Sequence, residues 1–205
     1  MSESEEVSGT RSKWDRIYEA ATDVGDPARI LTEFAHLLPV SGHALDLACG
    51  LGANALFLAQ RGLHVSAWDA SRVAITRLQA AADCQGVAVD SRLRDYERFP
   101  PEANSFDLLV VSNFLYRPIL PDLRNSLRPG GLVIYTTHTV ERPDFMGGPS
   151  NPDYLLQSGE LLDMFCHFRI HAYREEGLLG DIRQGERGRA SIVASQTAAR
   201  KPSEV

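Results

Sequence analysis

Residues 44–55 read ALDLACGLGANA, a short apolar run followed by a turn with two glycines and the start of a helical pattern. Glycines in such a strand–turn–helix unit let the backbone approach a ligand, and free N–H groups at the helix start attract polar groups. Asp69 follows the next apolar run, where an acid can accept hydrogen bonds from ribose hydroxyls. A tight turn or a helix cap would explain either feature alone, but their spacing across one β-α-β unit predicts a nucleoside cofactor.

Apolar runs alternate with helical stretches along the rest of the chain. We predict strands at 44–48, 64–68, 87–93, 106–111, 132–136, 169–173 and 190–195. Six helices are predicted, at 13–21, at 27–38, through 56–59, in the segment that Ser71 caps, along 120–127 and at 158–168. Asp26-Pro27 marks the start of the second helix, and a turn at 129–131 ends the fifth. This alternation indicates an α/β fold with a doubly wound parallel sheet and helices on both faces.

The composition fits one domain, because 205 residues with 43% hydrophobic content can fill a core between a sheet and its helices. We expect a single domain over 12–197, a disordered segment at 1–11 and a flexible tail at 198–205. The net charge of −6, without a cluster of basic residues, disfavours nucleic acid as a partner. The sequence shows no membrane-spanning run and no signal peptide, so we expect a soluble, cytoplasmic protein.

An ordered series of motifs runs through the chain: the segment 45–54, Asp69, the pair Asp95-Tyr96, and the segments 106–109 and 127–131. This series resembles the motifs of class I S-adenosylmethionine-dependent methyltransferases, and the resemblance covers residues 12–197. It implies a Rossmann-like methyltransferase fold, whose seven-stranded, mostly parallel sheet ends in an antiparallel C-terminal edge. The implied cofactor is S-adenosyl-L-methionine. One departure is Ala48, which replaces the usual first glycine and would be strained by a positive φ.

The same resemblance places the cofactor at the carboxyl ends of the first four strands. Asp46 is costly to bury in an apolar strand, and the resemblance gives it a use, since it would face the loop N–H groups and the charged aminoacyl end of the cofactor. The N-terminal segment is expected to fold over the cofactor. The predicted cofactor-binding residues are Trp14, Tyr18, Asp46, Ala48, Gly50, Gly52, Asn54, Asp69, Ala70, Asp95, Tyr96, Ser112 and Phe114.

The methyl acceptor is expected beyond strands 4 and 5, at 112–117 and 137–139. The following segment, 141–157, is too long and too rich in Pro and Gly for an ordinary connection. With residues 14–18, the run 151–162 resembles tellurite-resistance and thiopurine-type methyltransferases. We therefore predict N-terminal helices at 12–39 over the cofactor and a substrate loop at 140–157. The candidate catalytic residues are His138, Arg142 and Tyr154, each of which has an alternative role as a strand cap, a surface charge or a rim aromatic.

These patterns predict a methyltransferase for a small-molecule acceptor such as a thiol or a selenite- or tellurite-like oxyanion. An anionic acceptor needs no general base, whereas a neutral hydroxyl or amine does. Two alternatives stay open. Gly50, Gly52 and Ala55 also satisfy the G-x-G-x-x-A pattern of NAD-dependent oxidoreductases, and a non-catalytic S-adenosylmethionine-binding protein would carry the same motifs. No metal, membrane or nucleic-acid partner is expected, and the oligomeric state is not predicted.

Overall fold

The computed structural model describes residues 13–96 and 98–197. The segments predicted to be disordered or flexible, 1–11 and 198–205, lie outside the described residues. The described residues form seven strands, as predicted: β1 His43–Leu47, β2 His64–Asp69, β3 Val89–Leu93, β4 Phe106–Ser112, β5 Leu127–His138, β6 Arg169–Glu175 and β7 Arg189–Ser195.

The seven strands form one sheet in the order β3-β2-β1-β4-β5-β7-β6. The first five strands pair in parallel, and β7 runs antiparallel between β5 and β6. Parallel strands require crossover connections, and the helices between them cover both faces of the sheet. The predicted doubly wound sheet with an antiparallel C-terminal edge is therefore confirmed.

Two helices precede β1, and four more lie in the connections between strands. They are α1 at 13–20, α2 Arg29–Glu33, α3 Ala53–Ala59, α4 Arg72–Gln85, α5 Leu120–Ser126 and α6 Glu160–Met164. The Ser71 hydroxyl caps α4, as predicted, by accepting a hydrogen bond of 3.1 Å from the Ala74 N–H. Among the described residues, no helix has the length and apolar character needed to cross a membrane.

Two helices are shorter than the sequence predicted. The segment predicted as a helix at 27–38 contains α2 and a separate 3-10 turn, Ala35–Leu37, and its N-cap is Ala28 rather than Asp26. A long-range contact sets this start, because the Ala28 N–H donates to Asn54 Oδ1 at 2.8 Å. The helix predicted at 158–168 is confined to α6, which ends where Phe165 leaves helical geometry and enters the core.

Strand β5 begins five residues earlier than predicted. Phe106 pairs with Leu127 and Leu108 with Leu132, so the segment predicted as a turn at 129–131 forms an irregularity within the strand. The Gly130 N–H donates to the Gln196 carbonyl at 3.1 Å, which continues the pairing toward β7. Backbone bonds to a distant strand therefore override the local turn signal.

Alternation along the central strands divides the core into two layers. Leu45 and Leu47 pack on the face covered by α5 and α6. Ala44 and the intervening Asp46 point to the other face, where the apolar residues contact α2, α3 and α4. A buried carboxylate therefore lies on the face that the N-terminal helices cover.

Candidate active site

The sheet has its topological switch point between β1 and β4, which are neighbours at its centre. Ligands of doubly wound sheets bind beyond the carboxyl ends of such strands. Both strands lead into a residue with positive φ, Ala48 at 53° and Asn113 at 56°. Asparagine tolerates this conformation, whereas alanine pays roughly 1–2 kcal/mol for it. Ala48 thus adopts the strained positive-φ conformation that was considered for this position from the sequence.

The glycine turn after β1 needs glycine for two reasons. Gly50 and Gly52 have φ values of 52° and 86°. A Cβ on Gly52 would also lie 2.1 Å from Leu78 Cδ1, and a Cβ on Gly50 would lie 3.1 Å from the Tyr18 hydroxyl. Close approach of neighbouring side chains and left-handed backbone geometry together explain both glycines.

Asp69 fixes the glycine turn from the end of β2. Its two carboxylate oxygens accept hydrogen bonds of 2.8 Å from the N–H groups of Gly50 and Ser71. Burial raises the pKa of this carboxyl, and the backbone donors of Ser71, Gly50 and Ala70 oppose that shift. Each oxygen keeps a further lone pair, which is the acceptor that the predicted contact with ribose hydroxyls requires.

Asp46 is a buried acid without a hydrogen-bond partner of good geometry. It is 1% exposed, and neither carboxylate oxygen is satisfied by the described residues. Burial raises its pKa to about 7, although the nearby Asn54 amide and Ala55 N–H partly favour the charged form. A buried carboxylate beside a ligand-binding turn calls for a cation, and the ammonium of an aminoacyl group meets that need. This observation fits S-adenosylmethionine.

Helix α1 covers the glycine turn. The rings of Trp14 and Tyr18 stack with centroids 5.7 Å apart, and Tyr18 contacts the backbone at Gly50. Arg77 holds the end of this segment, because its guanidinium donates to the carbonyls of Tyr18 and Ala21, the latter at 2.7 Å. The predicted N-terminal segment therefore lies directly over the predicted cofactor loop.

An aromatic surface beyond β3 and β4 is formed by two residues that were predicted to bind the cofactor. Tyr96 and Phe114 meet edge to face with ring centroids 5.0 Å apart. The Phe114 carbonyl accepts a hydrogen bond of 2.9 Å from the Tyr135 hydroxyl, which anchors this wall to β5. Asp95 belongs to the same turn, where its carbonyl accepts from the Phe99 N–H at 2.9 Å. The structure thus brings these positions together from two loops.

A row of hydroxyl groups crosses the sheet at its carboxyl edge. Ser112 lies opposite Thr136 in the β4–β5 ladder, and Thr136 lies opposite Ser191 in the β5–β7 ladder. The Thr136 and Ser191 hydroxyls are buried and 2.8 Å apart. Asp46 pairs with Val110, two residues before Ser112, and therefore shares the face of this row. The acid and the hydroxyls line one side of the sheet.

His138 and Arg142, two of the predicted catalytic residues, lie together beyond this row. A Cβ on Gly148 would lie 2.7 Å from Arg142 Nη1 and 3.2 Å from His138 Nδ1, so both side chains rest against the Gly148 backbone. Burial, together with the charges of Arg189 and Arg142, lowers the pKa of His138 to about 4. The imidazole is therefore neutral at pH 7. Arg189 is a neighbour that the sequence did not single out.

Tyr154, the third predicted catalytic residue, is not joined to this pair. It is 42% exposed, and its side chain forms no hydrogen bond or ring contact with other residues in the described ranges. The loop around it is instead held by Arg117, which donates to the carbonyls of Asp153 at 2.7 Å and Leu155 at 2.9 Å. Arg117 also pairs with both oxygens of Glu160. Sequence gave no signal for this long-range anchor.

The predicted substrate loop is closed at its base. Val140 N–H donates to the Leu156 carbonyl, and Leu156 N–H donates to the His138 carbonyl, each at 2.9 Å. These bonds bring the two ends of the loop together beside the end of β5. Its composition predicted a functional loop, and its position next to the hydroxyl row is compatible with that role.

The chain matches a known domain family in its central part. Residues 44–131 fit the model of a family described as a methyltransferase domain. This match confirms the predicted methyltransferase and implies S-adenosylmethionine as the cofactor. No curated protein matches the sequence at a significant level.

Solved structures share the fold at low sequence identity. TehB from Haemophilus influenzae has a TM-score of 0.68 and 19% identity, with 91% of this chain and 67% of that chain covered. An S-adenosylmethionine-dependent methyltransferase from Methanosarcina mazei has a TM-score of 0.64 and 19% identity, with 85% of this chain and 100% of that chain covered. The [4+2]-cyclase SpnF gives 0.66 and 17%, with coverage of 90% and 81%. The fold alone therefore does not identify the reaction.

Proposed function

For a chain with a methyltransferase domain and S-adenosylmethionine as its cofactor, we propose that the methyl group is transferred to a small, anionic acceptor such as a thiolate or an oxyanion. The observation that carries this proposal is the shared face of the sheet. Asp46 lies at one end of that face, and Ser112, Thr136 and His138 lie at the other. Cofactor and acceptor would then meet above β4.

The residues available to hold the cofactor surround the glycine turn. Asp46 would bind its ammonium group, Asp69 its ribose hydroxyls, and Tyr96 with Phe114 its adenine ring. Tyr18 lies against the Gly50 backbone, so its ring would also contact a cofactor bound at this turn. When bound, S-adenosylmethionine supplies a methyl group on a sulfonium, which an acceptor nucleophile displaces in line.

The protein's own contribution is mainly to hold the acceptor in that line. His138 has a pKa of about 4 and is a poor general base at pH 7. An acceptor that is already anionic needs no base, and the positive charge of Arg142 favours such an acceptor. A neutral amine or hydroxyl would find no suitable base among His138 and Arg142. Electrostatics therefore support a thiolate or an oxyanion.

Exclusion of water is the second contribution. Helix α1 covers the glycine turn, and the loop 140–157 closes beside β5. Trp14 and Tyr18 present aromatic faces that would attract the positive sulfonium, and Tyr154 would do so after the loop moves. Exclusion of water from the cleft strengthens the polar interactions inside it.

The three free cysteines, Cys49, Cys84 and Cys166, support the accompanying proposal of a reducing, cytoplasmic location.

A ligand panel followed by an acceptor screen tests the proposal. S-adenosylmethionine and S-adenosylhomocysteine should raise the melting temperature, whereas NAD should not. Labelled cofactor should then transfer its methyl group to thiols, selenite or tellurite. Tight, salt-sensitive binding of RNA or DNA would count against a small acceptor. Binding of S-adenosylmethionine without transfer to any acceptor would favour a non-catalytic binding protein.

Two substitutions separate acceptor binding from cofactor binding. Arg142→Ala and Tyr154→Ala should lower turnover or raise the acceptor KM, while the affinity for S-adenosylhomocysteine stays nearly unchanged. Arg183→Ala is a suitable control, since Arg183 is an exposed arginine on the β6–β7 connection. If both substitutions are kinetically silent, the acceptor is bound elsewhere.

A further inference from the structure

Arg189 is a half-buried cation whose side chain engages no acid. It begins β7 and pairs with His138 in the antiparallel ladder. Directly opposite residues of such a pair project from the same face, so Arg189 lies beside His138 and above the Thr136–Ser191 hydroxyl pair. Within the described ranges its guanidinium has no hydrogen bond and no ion pair. The acid that affects it is Glu186, which lies 3.7 Å from Arg174.

Arg142 reaches the same place from the substrate loop and is only partly satisfied. Its Nη2 donates to the Pro149 carbonyl at 2.8 Å. Its Nη1 is buried beneath the backbone at Gly148 and has no partner among the described residues. A guanidinium N–H without a partner is costly to bury, so this arrangement favours a bound anion.

Charge around His138 points in the same direction. Burial lowers the pKa of Arg189, and Arg189 and Arg142 together with burial keep His138 neutral. Two cations therefore share a partly buried space with a neutral imidazole. An anion beside His138 would therefore have both guanidinium groups nearby, and the buried hydroxyls of Thr136 and Ser191 lie on the same face of the sheet.

We propose that Arg189, together with Arg142, binds a carboxylate group of the methyl acceptor and so determines which acceptors the enzyme uses. This inference rests on the proposed methyltransferase function and narrows its acceptor to a small acid. Guanidinium groups favour a carboxylate because their planar fork matches two oxygen atoms. Arg189 acts here as a specificity-determining residue, and the nucleophile is a different atom of the same acceptor. The backbone at Gly148 must shift for the carboxylate to reach Arg142 Nη1.

The test uses one thiol with and without a carboxylate. 3-Mercaptopropionate and its uncharged amide, 3-mercaptopropionamide, are titrated into the protein in the presence of S-adenosylhomocysteine, which prevents turnover. Binding is followed through the imidazole NMR signal of His138. The acid should bind at least about tenfold more tightly than the amide, since a charge-assisted pair replaces a neutral contact. Its binding should also raise the pKa of His138.

Variants at position 189 assign the effect. In Arg189→Gln the preference for the acid should disappear, and in Arg189→Lys it should be reduced, because lysine keeps the charge but loses the planar fork. Arg183→Gln on the same connection should keep the full preference. Circular dichroism and the His138 signal show whether each variant is folded, and Arg142→Gln provides a second test at the same site.

Two outcomes would overturn the proposal: equal binding of acid and amide by the unmodified protein, or a preference for the acid that survives in Arg189→Gln. The titration is repeated without S-adenosylhomocysteine. If that product fails to bind but the acid preference and its loss in Arg189→Gln persist, the methyltransferase proposal fails while the carboxylate site stands. If S-adenosylhomocysteine binds and the acid preference is missing, only the carboxylate site fails.

Discussion

Replacement of Asp46 by asparagine should have opposite effects on stability and on cofactor binding. Asp46 is fully buried, and its pKa in the folded protein is about 7 against an ordinary value of 3.8. That difference corresponds to about 4 kcal/mol of destabilisation when the carboxyl is ionised. Asparagine has nearly the same shape and no charge, so Asp46→Asn removes this cost in the ligand-free protein.

The pH dependence gives the sign of the effect. Between pH 4 and pH 7 the folded protein holds the proton of Asp46 more tightly than the unfolded chain does. The contribution of the protonated form is therefore complete below about pH 4 and is lost as the pH rises to about 7. Asp46→Asn should be about 2–4 kcal/mol more stable than the unmodified protein at pH 8 and close to it at pH 4.

Urea unfolding at both pH values, without ligand, measures this difference. Calorimetry with S-adenosylhomocysteine measures the effect on cofactor binding. The affinity of Asp46→Asn for this ligand should be about tenfold to a hundredfold lower, because the ligand's ammonium group loses its carboxylate partner. Asp144→Asn, at an exposed position of the substrate loop, should change neither quantity. Equal or lower stability of Asp46→Asn at pH 8, or unchanged affinity, would refute the reasoning.

Three further substitutions test the surrounding geometry. Ala48→Gly should raise the free energy of unfolding by about 0.5–1 kcal/mol, because relief of the left-handed strain exceeds the added flexibility of the unfolded chain. A lower denaturant midpoint would contradict the positive φ assigned to residue 48. Arg117→Ala should increase hydrogen exchange across 152–156 and raise the acceptor KM, because the loop loses its contacts with Arg117. Unchanged exchange would show that Glu160 and the backbone bonds at the loop base are enough to hold the loop in place. Arg77→Ala should weaken S-adenosylhomocysteine binding and increase hydrogen exchange across 13–20, because α1 loses its anchor. Normal affinity would mean that the helix does not cover the cofactor.

The glycine turn and the acids predicted to bind the cofactor could be placed from sequence because their determinants are local. Gly50, Gly52 and Asp69 belong to one β-α-β unit, so their spacing along the chain nearly fixes their spacing in the fold. Alternation on β1 likewise placed Asp46 on the face opposite Leu47. The bounds of the helices were less accessible, since the start of α2 depends on a bond between Ala28 and Asn54, 26 residues away.

Sequence by itself determined the α/β class, the seven strands and the position of the glycine turn, because apolar periodicity and glycine placement act over a few residues. Only the tertiary structure decided which charged side chains are paired. Sequence placed Arg117 in a candidate wall of the acceptor site, and only the fold pairs it with Glu160, 43 residues later. Arg189 lies next to His138, 51 residues earlier in the chain, only because the antiparallel register of β5 and β7 places the two residues opposite each other. Such pairings depend on strand order and register, which the chain acquires only when its whole sheet assembles.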